Sequence, residues 1–342
     1  MERVKVAVLG GSGYTAGELL ELLLRHPGAE IAAVSSREET RAAAPLVSDL
    51  HPRLRGRLDL ACETLTADDC VQRGIQCVFG CLPHGASAAA IGPLLDRLIR
   101  VIDLSADYRL SDPSIYAEWY GHPHGDLGHL PWAVYGLPEL FKDKLPAARL
   151  VANPGCYPQS AILGLAPLLH ERLIDLASII IDSKSGVSGA GRNPSPTTHF
   201  PECNESVAAY NVGRHRHTPE IEQLLTHVAG QPVQALFTPH LIPMDRGLFS
   251  TLYAQPTRPV TEGDLLLLYR RFYADAPFVR IGTRLPSTKD TLRTNYCDLV
   301  PRVVRDRIVV LSCLDNLRRG ASGVAVQNFN LMFGFPETTA LD

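Results

Sequence analysis

The sequence predicts an α/β fold: a doubly wound parallel sheet, followed by an α+β domain with a mostly antiparallel sheet. Three observations predict it. The chain opens with an apolar run over residues 4–9 that ends in Gly10-Gly11-Ser12-Gly13, and a Leu-rich stretch of helical length follows over 16–25. Strand-like and helical stretches then alternate, with strands over 30–35, 77–82 and 101–104 and a helix over 86–98. Such alternation marks βαβ units, and the glycine-rich first turn makes the arrangement Rossmann-like. Past Asn153 the balance changes. A helix is expected over 159–173 and strands over 178–183, 234–241, 249–254, 295–300 and 307–313, with two further helices over 219–228 and 264–274. A last helix is expected over 318–333, where Gly320, Ala321, Gly323 and Ala325 present a small-residue face that invites a close neighbour.

Composition narrows the function classes. The chain has 342 residues, enough for about two domains. Lys+Arg number 33 against 36 Asp+Glu, a net charge of −3, so no basic tract points to nucleic acid or to a membrane surface. Eight cysteines are present and none forms a CxxC pair. That pattern predicts reduced thiols rather than a disulfide scaffold or a metal site. No apolar run approaches the ~18 residues of a membrane span. The N-terminus runs into strand-like sequence without a signal-peptide core, which predicts a cytoplasmic protein.

Gly10, Gly13 and Ala16 form a G-x-x-G-x-x-A turn between the first strand and the first helix. Small residues let the backbone turn tightly and approach a phosphate, while the helix N-terminus supplies N–H groups and positive potential. Ser12, Tyr14 and Thr15 share this turn. The second strand ends in Ser35-Ser36-Arg37 rather than in a carboxylate. Two hydroxyls and a cation favour a ribose 2′-phosphate, hence NADP(H) over NAD(H). Pro83 and His84 follow a strand end, where ligands of doubly wound sheets sit, and are expected to contact the cofactor.

Asn153-Pro154-Gly155-Cys156-Tyr157-Pro158 is the most informative segment. A Pro-Gly turn delivers Cys156 to a helix start, with Pro158 suited to the first helical position. A thiol at a helix N-terminus has its thiolate favoured by the dipole, which prepares a nucleophile.

With these features in view, the sequence resembles the N-acetyl-γ-glutamyl-phosphate reductases, relatives of aspartate-semialdehyde dehydrogenase. The resemblance rests on Gly-Gly-Ser-Gly-Tyr-Thr, Leu82-Pro83-His84-Gly85, the Asp103–Arg109 run and the Asn153–Pro158 run. It continues through Ser185-Gly186-Val187-Ser188-Gly189-Ala190-Gly191-Arg192, His215-Arg216-His217-Thr218-Pro219-Glu220, Gly320-Ala321-Ser322-Gly323 and Gln327-Asn328. It covers nearly the whole chain in order. Ala16 replaces the third glycine, and Val324 stands where members often carry Gln.

The resemblance implies NADPH-dependent reduction of an acyl phosphate to an aldehyde through a thioester on Cys156, in arginine biosynthesis. It implies an NADP-binding domain of 1–153 plus 317–342, and a catalytic and oligomerisation domain of 154–316. His217 is expected as acid/base, with Thr218 as the cap of the next helix, Glu220 orienting His217, and His215 touching substrate. Ser185, Gly186 and Gly189 are expected around the nicotinamide, and Asn316 at its carboxamide. Arg109 and Asn153 are favoured for the substrate phosphate, with Arg192, Arg214 and Arg246 as further anion binders. The expected partners are the small acyl-phosphate substrate and other copies of the chain, as homodimer or homotetramer. Two alternatives stay open: the aminoadipyl-phosphate counterpart of lysine biosynthesis, and a non-catalytic NADP-binding sensor. Trapping a thioester on Cys156 separates the sensor from either enzyme.

Overall fold

The computed structural model describes residues 3–36 and 44–342. The chain forms two compact units, Met1–Pro154 with Ala321–Asp342, and Gly155–Gly320. Among the described residues the first unit holds seven strands: β1 (Val4–Leu9), β2 (Ala29–Ser35), β3 (Cys62–Glu63), β4 (Cys77–Gly80), β5 (Arg100–Asp103), β6 (Ala133–Tyr135) and β7 (Leu150–Ala152). Their order is β3-β2-β1-β4-β5-β7-β6, and every pairing is parallel. The near-continuous burial of β1 and β4 is what strands covered on both faces require. Strand order reverses between β1 and β4, so the loops after these two strands flank the switch point where such sheets bind ligands.

The chain returns to this unit at its C-terminal end. The Gly323–Met332 helix packs on the Tyr14–Arg25 helix, and Phe329 sits 5.7 Å from Phe79 of β4. Asn328, fully buried on that helix, donates to Gly136 O at 2.9 Å and to Asn153 Oδ1 at 3.2 Å. The expected helix over 318–333 is shorter than its pattern suggests. A π turn spans Arg318–Ser322, and the α-helix begins only at Gly323. The reason is Asp315, whose carboxylate takes the N–H groups of Leu317 and Arg318 while its carbonyl takes that of Gly320, five residues on.

The second unit is built on β8 (Ile180–Ser185), β9 (Ala208–Ala209), β10 (Leu236–Leu241), β11 (Leu248–Ala254), β12 (Val279–Ile281), β13 (Cys297–Val304) and β14 (Arg307–Leu314). The order is β12-β13-β14-β11-β8-β10-β9. The sheet is mixed: β12–β13 and β8–β10 pair in parallel, and the other four pairings are antiparallel. On one face lies the Cys156–His170 helix, buried from Tyr157 through Leu169. A helix apolar all round has to be a core element. The Thr218–Ala229 and Glu262–Phe272 helices cover it, and Tyr273 of the segment after the latter donates to Leu163 O at 2.6 Å.

Four buried hydroxyls tie this helix to the sheet. Ser160 Oγ lies 2.8 Å from Ser250 Oγ and 2.9 Å from Ser312 Oγ, and Ser183 Oγ lies 2.7 Å from Ser250 Oγ. Each hydroxyl satisfies another inside an apolar core, where an unpaired one would carry its full desolvation cost. Ser250→Ala removes the partner of Ser183 and one of the two partners of Ser160, and is expected to lower stability by about 1–3 kcal/mol. Urea unfolding midpoints of the two proteins check this, and equal midpoints would show the cluster to be dispensable.

Candidate active site

In the first unit the glycine turn joins β1 to the Tyr14–Arg25 helix. Gly10 has φ +79, and a methyl group there would lie 2.5 Å from Cys81 O in the loop after β4. Glycine is therefore demanded at this position by backbone conformation and by the neighbouring strand's loop together. Gly13 is different. Its φ is −74, and a methyl group on it would meet no atom within 4 Å among the described residues. No described residue requires glycine there; a phosphate approaching the backbone would. Gly13 is also the helix cap and supplies no side-chain acceptor, so the first N–H groups face outward. His51 braces the turn through a 2.6 Å hydrogen bond from Nε2 to Gly11 O.

At the end of β2, the buried Ser36 hydroxyl has no hydrogen-bond partner among the described residues. Arg37 lies outside the described residues. Pro83 and His84 follow β4, and both are exposed. Their loop is held by Asp107, whose carboxylate accepts from the N–H groups of Gly85 (2.8 Å), Ser87 (3.1 Å) and Ala88 (3.1 Å), and by the Ala106 N–H, which donates to His84 Nδ1. Asp103 beside it is fully buried, and burial raises its pKa to about 6. The Asp103–Arg109 run thus shapes the loop that follows β4. Taken together, the glycine turn, the uncapped helix start and the Ser36 hydroxyl fit a phosphorylated dinucleotide.

In the second unit Cys156 is the first residue of its helix and Gly155 the cap, which puts Pro158 third rather than first. Gly155 contributes no side-chain cap; its own N–H donates to Glu220 Oε1 at 2.9 Å. Glu220, expected to orient His217, anchors the turn before Cys156. Tyr157 stands edge-on to His215 (5.4 Å) and His217 (5.9 Å), so both histidines border the first turn of the Cys156 helix. His217, not Thr218, occupies the cap position of the Thr218–Ala229 helix, because its carbonyl accepts the first helical bond, from the Ile221 N–H at 2.9 Å.

The two histidines are not equivalent. The His217 main-chain N–H donates to His215 Nδ1 at 3.1 Å, so the neutral His215 ring carries its proton on Nε2. Tyr157, Tyr210 and Phe237 enclose the ring. Burial, with the Arg216 charge second, pushes its pKa down to about 4. His215 is thus a neutral donor at ordinary pH.

Several expected ligand contacts are engaged within the protein. Arg246 pairs through two nitrogens with the buried Asp315 carboxylate, at 2.9 and 3.2 Å, so its charge is already matched. Asn316 accepts from Gly247 N–H (2.7 Å) and donates to Ser188 Oγ (3.1 Å), so it braces these two loops. Asn153 donates to Ala321 O and accepts from Asn328. Arg109 donates from Nε to Asn153 O and from Nη2 to Leu104 O, clamping the ends of β5 and β7. Gly186 is explained by packing, since a methyl group there would lie 2.6 Å from Asp245 O. Ser185 is buried and Gly189 follows within the same turn. Arg192 and Arg214 are exposed on loops of the second unit. Sequence reasoning misses Asp315, Asp107 and His51. Asp107 lies inside the Asp103–Arg109 run, whereas an isolated His or Asp carries no local signal for a partner tens of residues away.

Residues 5–148 match the semialdehyde dehydrogenase NAD binding domain, and residues 156–316 match the semialdehyde dehydrogenase dimerisation domain. Aspartate semialdehyde dehydrogenase II from Vibrio cholerae, solved with ASA, shares the fold at a TM-score of 0.72 and 14% identity, covering 98% of this chain and 99% of that one. The fold and its two domains thus define a protein of the semialdehyde dehydrogenase class. Within that class, it is 46% identical to N-acetyl-gamma-glutamyl-phosphate reductase of Rhodopirellula baltica and 48% identical to that of Desulforudis audaxviator. Each alignment covers 99% of this chain and 98% of the relative. The chain belongs to the N-acetyl-gamma-glutamyl-phosphate reductase family.

The His215 environment has a measurable consequence for stability. In the unfolded chain this imidazole titrates near its ordinary ~6.5. In the folded protein it resists protonation until about pH 4. As pH falls below ~6.5 the unfolded state takes up the proton first, so stability declines towards pH 4 and the contribution is constant below it. Between pH 7 and 5 this one group is expected to remove about 2 kcal/mol. His215→Asn should flatten that part of the acid profile, read as urea midpoints at both pH values. An unchanged profile would contradict the assigned environment.

Proposed function

We propose that the protein reduces N-acetyl-γ-glutamyl phosphate to N-acetyl-glutamate 5-semialdehyde and phosphate with NADPH, as a step of arginine biosynthesis. The observation that carries this reading is Cys156, placed as the first residue of a core helix whose cap contributes no side chain, with His215 and His217 beside that first turn. The names of the close relatives give the substrate.

In this reading NADPH is held by the Gly10–Ala16 turn, by the uncapped start of the following helix and by Ser35 and Ser36. The Ser36 hydroxyl, without a hydrogen-bond partner among the described residues, supports a 2′-phosphate at that strand end. When bound, NADPH supplies the hydride that reduces the acyl carbon. Cys156 attacks that carbon as a thiolate; a C–S bond forms, the bond to the phosphate oxygen breaks, and phosphate leaves with the bonding pair. The helix dipole favours the thiolate. His217 takes the thiol proton at attack and returns it to sulfur when the aldehyde departs, because the Nδ1 of His215 already accepts the His217 N–H. His215 offers its Nε2–H to a substrate oxygen. Arg192 and Arg214, exposed on loops of the same unit, suit the substrate's anionic groups.

The decisive assay follows NADPH oxidation with the acyl phosphate. Cys156→Ser should abolish turnover and retain NADPH binding by fluorescence titration. His217→Asn should lower kcat by about 10²–10⁴ with little change in KM. If His215→Asn instead abolishes kcat while His217→Asn only raises KM, the two roles are reversed. Near-normal turnover of Cys156→Ser would overturn the covalent route.

The same reading makes the protein a homo-oligomer through the second unit. On the sheet face opposite the Cys156 helix, Leu236, Ile180 and Tyr253 stand in register on adjacent strands and are 61%, 38% and 36% exposed. An apolar row on an open sheet face suits a second copy of the same sheet. Tyr253→Glu is expected to convert a dimer to monomer in light-scattering chromatography; an unchanged mass would place the interface elsewhere.

A further inference from the structure

The Asp315–Gly320 turn abuts the helix start that carries Cys156. A methyl group on Gly320 would lie 2.7 Å from Cys156 Cβ and 3.3 Å from Cys156 Cα, inside the closest approach carbon atoms tolerate. The backbone of residue 320 therefore touches the main chain and Cβ of the nucleophile directly. Neither side is built to yield. The turn is anchored by Asp315, which accepts the N–H groups of Arg293 (2.7 Å), Leu317 (2.9 Å) and Arg318 (2.9 Å) and the Arg246 guanidinium; its carbonyl accepts the Gly320 N–H at 2.8 Å. On the other side, Gly155 is held by Glu220, and Tyr157 onward is buried.

We infer that Gly320 is a positioning residue for the reaction: the anchored Asp315–Gly320 turn sets where Cys156 sits at the start of its helix. This rests on the reading of Cys156 as the nucleophile. Close packing transmits displacement rather than absorbing it. A side chain at 320 must push Cys156 outward by several tenths of an ångström, and shifts of that order change rates steeply. The same geometry explains why the helical pattern beginning at residue 318 opens as a π turn. The five-residue bond from Gly320 to Asp315 holds the backbone of 320 against the cysteine.

Gly320→Ala is expected to lower kcat by about a hundredfold while KM for both substrates stays within about threefold. Alkylation of Cys156 by iodoacetamide, followed by peptide mass spectrometry across pH, should slow at neutral pH, with its midpoint moved upward by about half a unit as the thiol leaves the helix dipole. A purely structural glycine would leave that profile in place. A double-mutant cycle isolates the contact without chemistry. The fall in melting temperature caused by Gly320→Ala should shrink by at least half in a Cys156→Gly background, where the clashing Cβ is gone. Should Gly320→Ala alone fail to fold, folding of the double variant establishes the same contact. An equal fall in both backgrounds, or wild-type alkylation and turnover of Gly320→Ala, would overturn the proposal. A wild-type protein without reductase activity but with a coupled thermal cycle would overturn the functional reading and leave the contact standing.

Discussion

The hydrogen bond from the Gly155 N–H to Glu220 is the constraint on which the second unit's chemistry depends. A helix start has N–H groups without internal partners, and a side-chain cap normally takes them. Here the cap is glycine, so the first turn stays open toward Cys156. A buried carboxylate from the neighbouring helix holds the preceding N–H instead. Glu220 thus fixes the turn without closing the helix end, and the same helix brings His217 as its cap residue beside Tyr157. Cys156 and His217 thus stand at two helix starts joined through the Glu220 carboxylate.

The first unit solves a related problem with backbone. Across the switch point, the loops after β1 and β4 are so close that Gly10 has no room for a side chain. Asp107 collects three N–H groups of the β4 loop and the helix after it. Charge-assisted bonds of this kind are stronger than neutral ones and hold the loop's main chain in place. What this leaves at the end of β1 is main chain at Gly13 with open space beside it among the described residues.

Buried polar groups explain why several side chains near the motifs serve the scaffold. Asp315 is fully buried, and an isolated carboxylate there would be too costly to keep, so Arg246 and three N–H groups surround it. Asn316 and Asn153 join loops whose carbonyls and N–H groups lack strand partners. Residue type and closeness to a motif are the same for an anion binder and for an internal brace. Only the partner distinguishes them, and the partner is remote in sequence.

The fold class was legible because period and punctuation are local. Alternating apolar runs and helical stretches can be read without knowing what packs on what, as can the glycine turn after residues 4–9 and the Pro-Gly step before Cys156. The family resemblance spanned the same motifs. The end of the chain was harder. Residues 318–322 carry a helical pattern, yet the Asp315 bonds wind them into a π turn. The sequence by itself determined the two kinds of sheet, nine of their strands and a cysteine at a helix start, since these follow from short-range geometry; β3, β6, β7, β9 and β12, each of two or three residues, carry too short a pattern to be read. Only the tertiary structure decided that Glu220 holds Gly155, that His215 is a neutral donor, that Arg246 belongs to Asp315 and that Gly320 touches Cys156. Each of those facts is a contact between distant segments, and chain closure, not local propensity, selects such contacts.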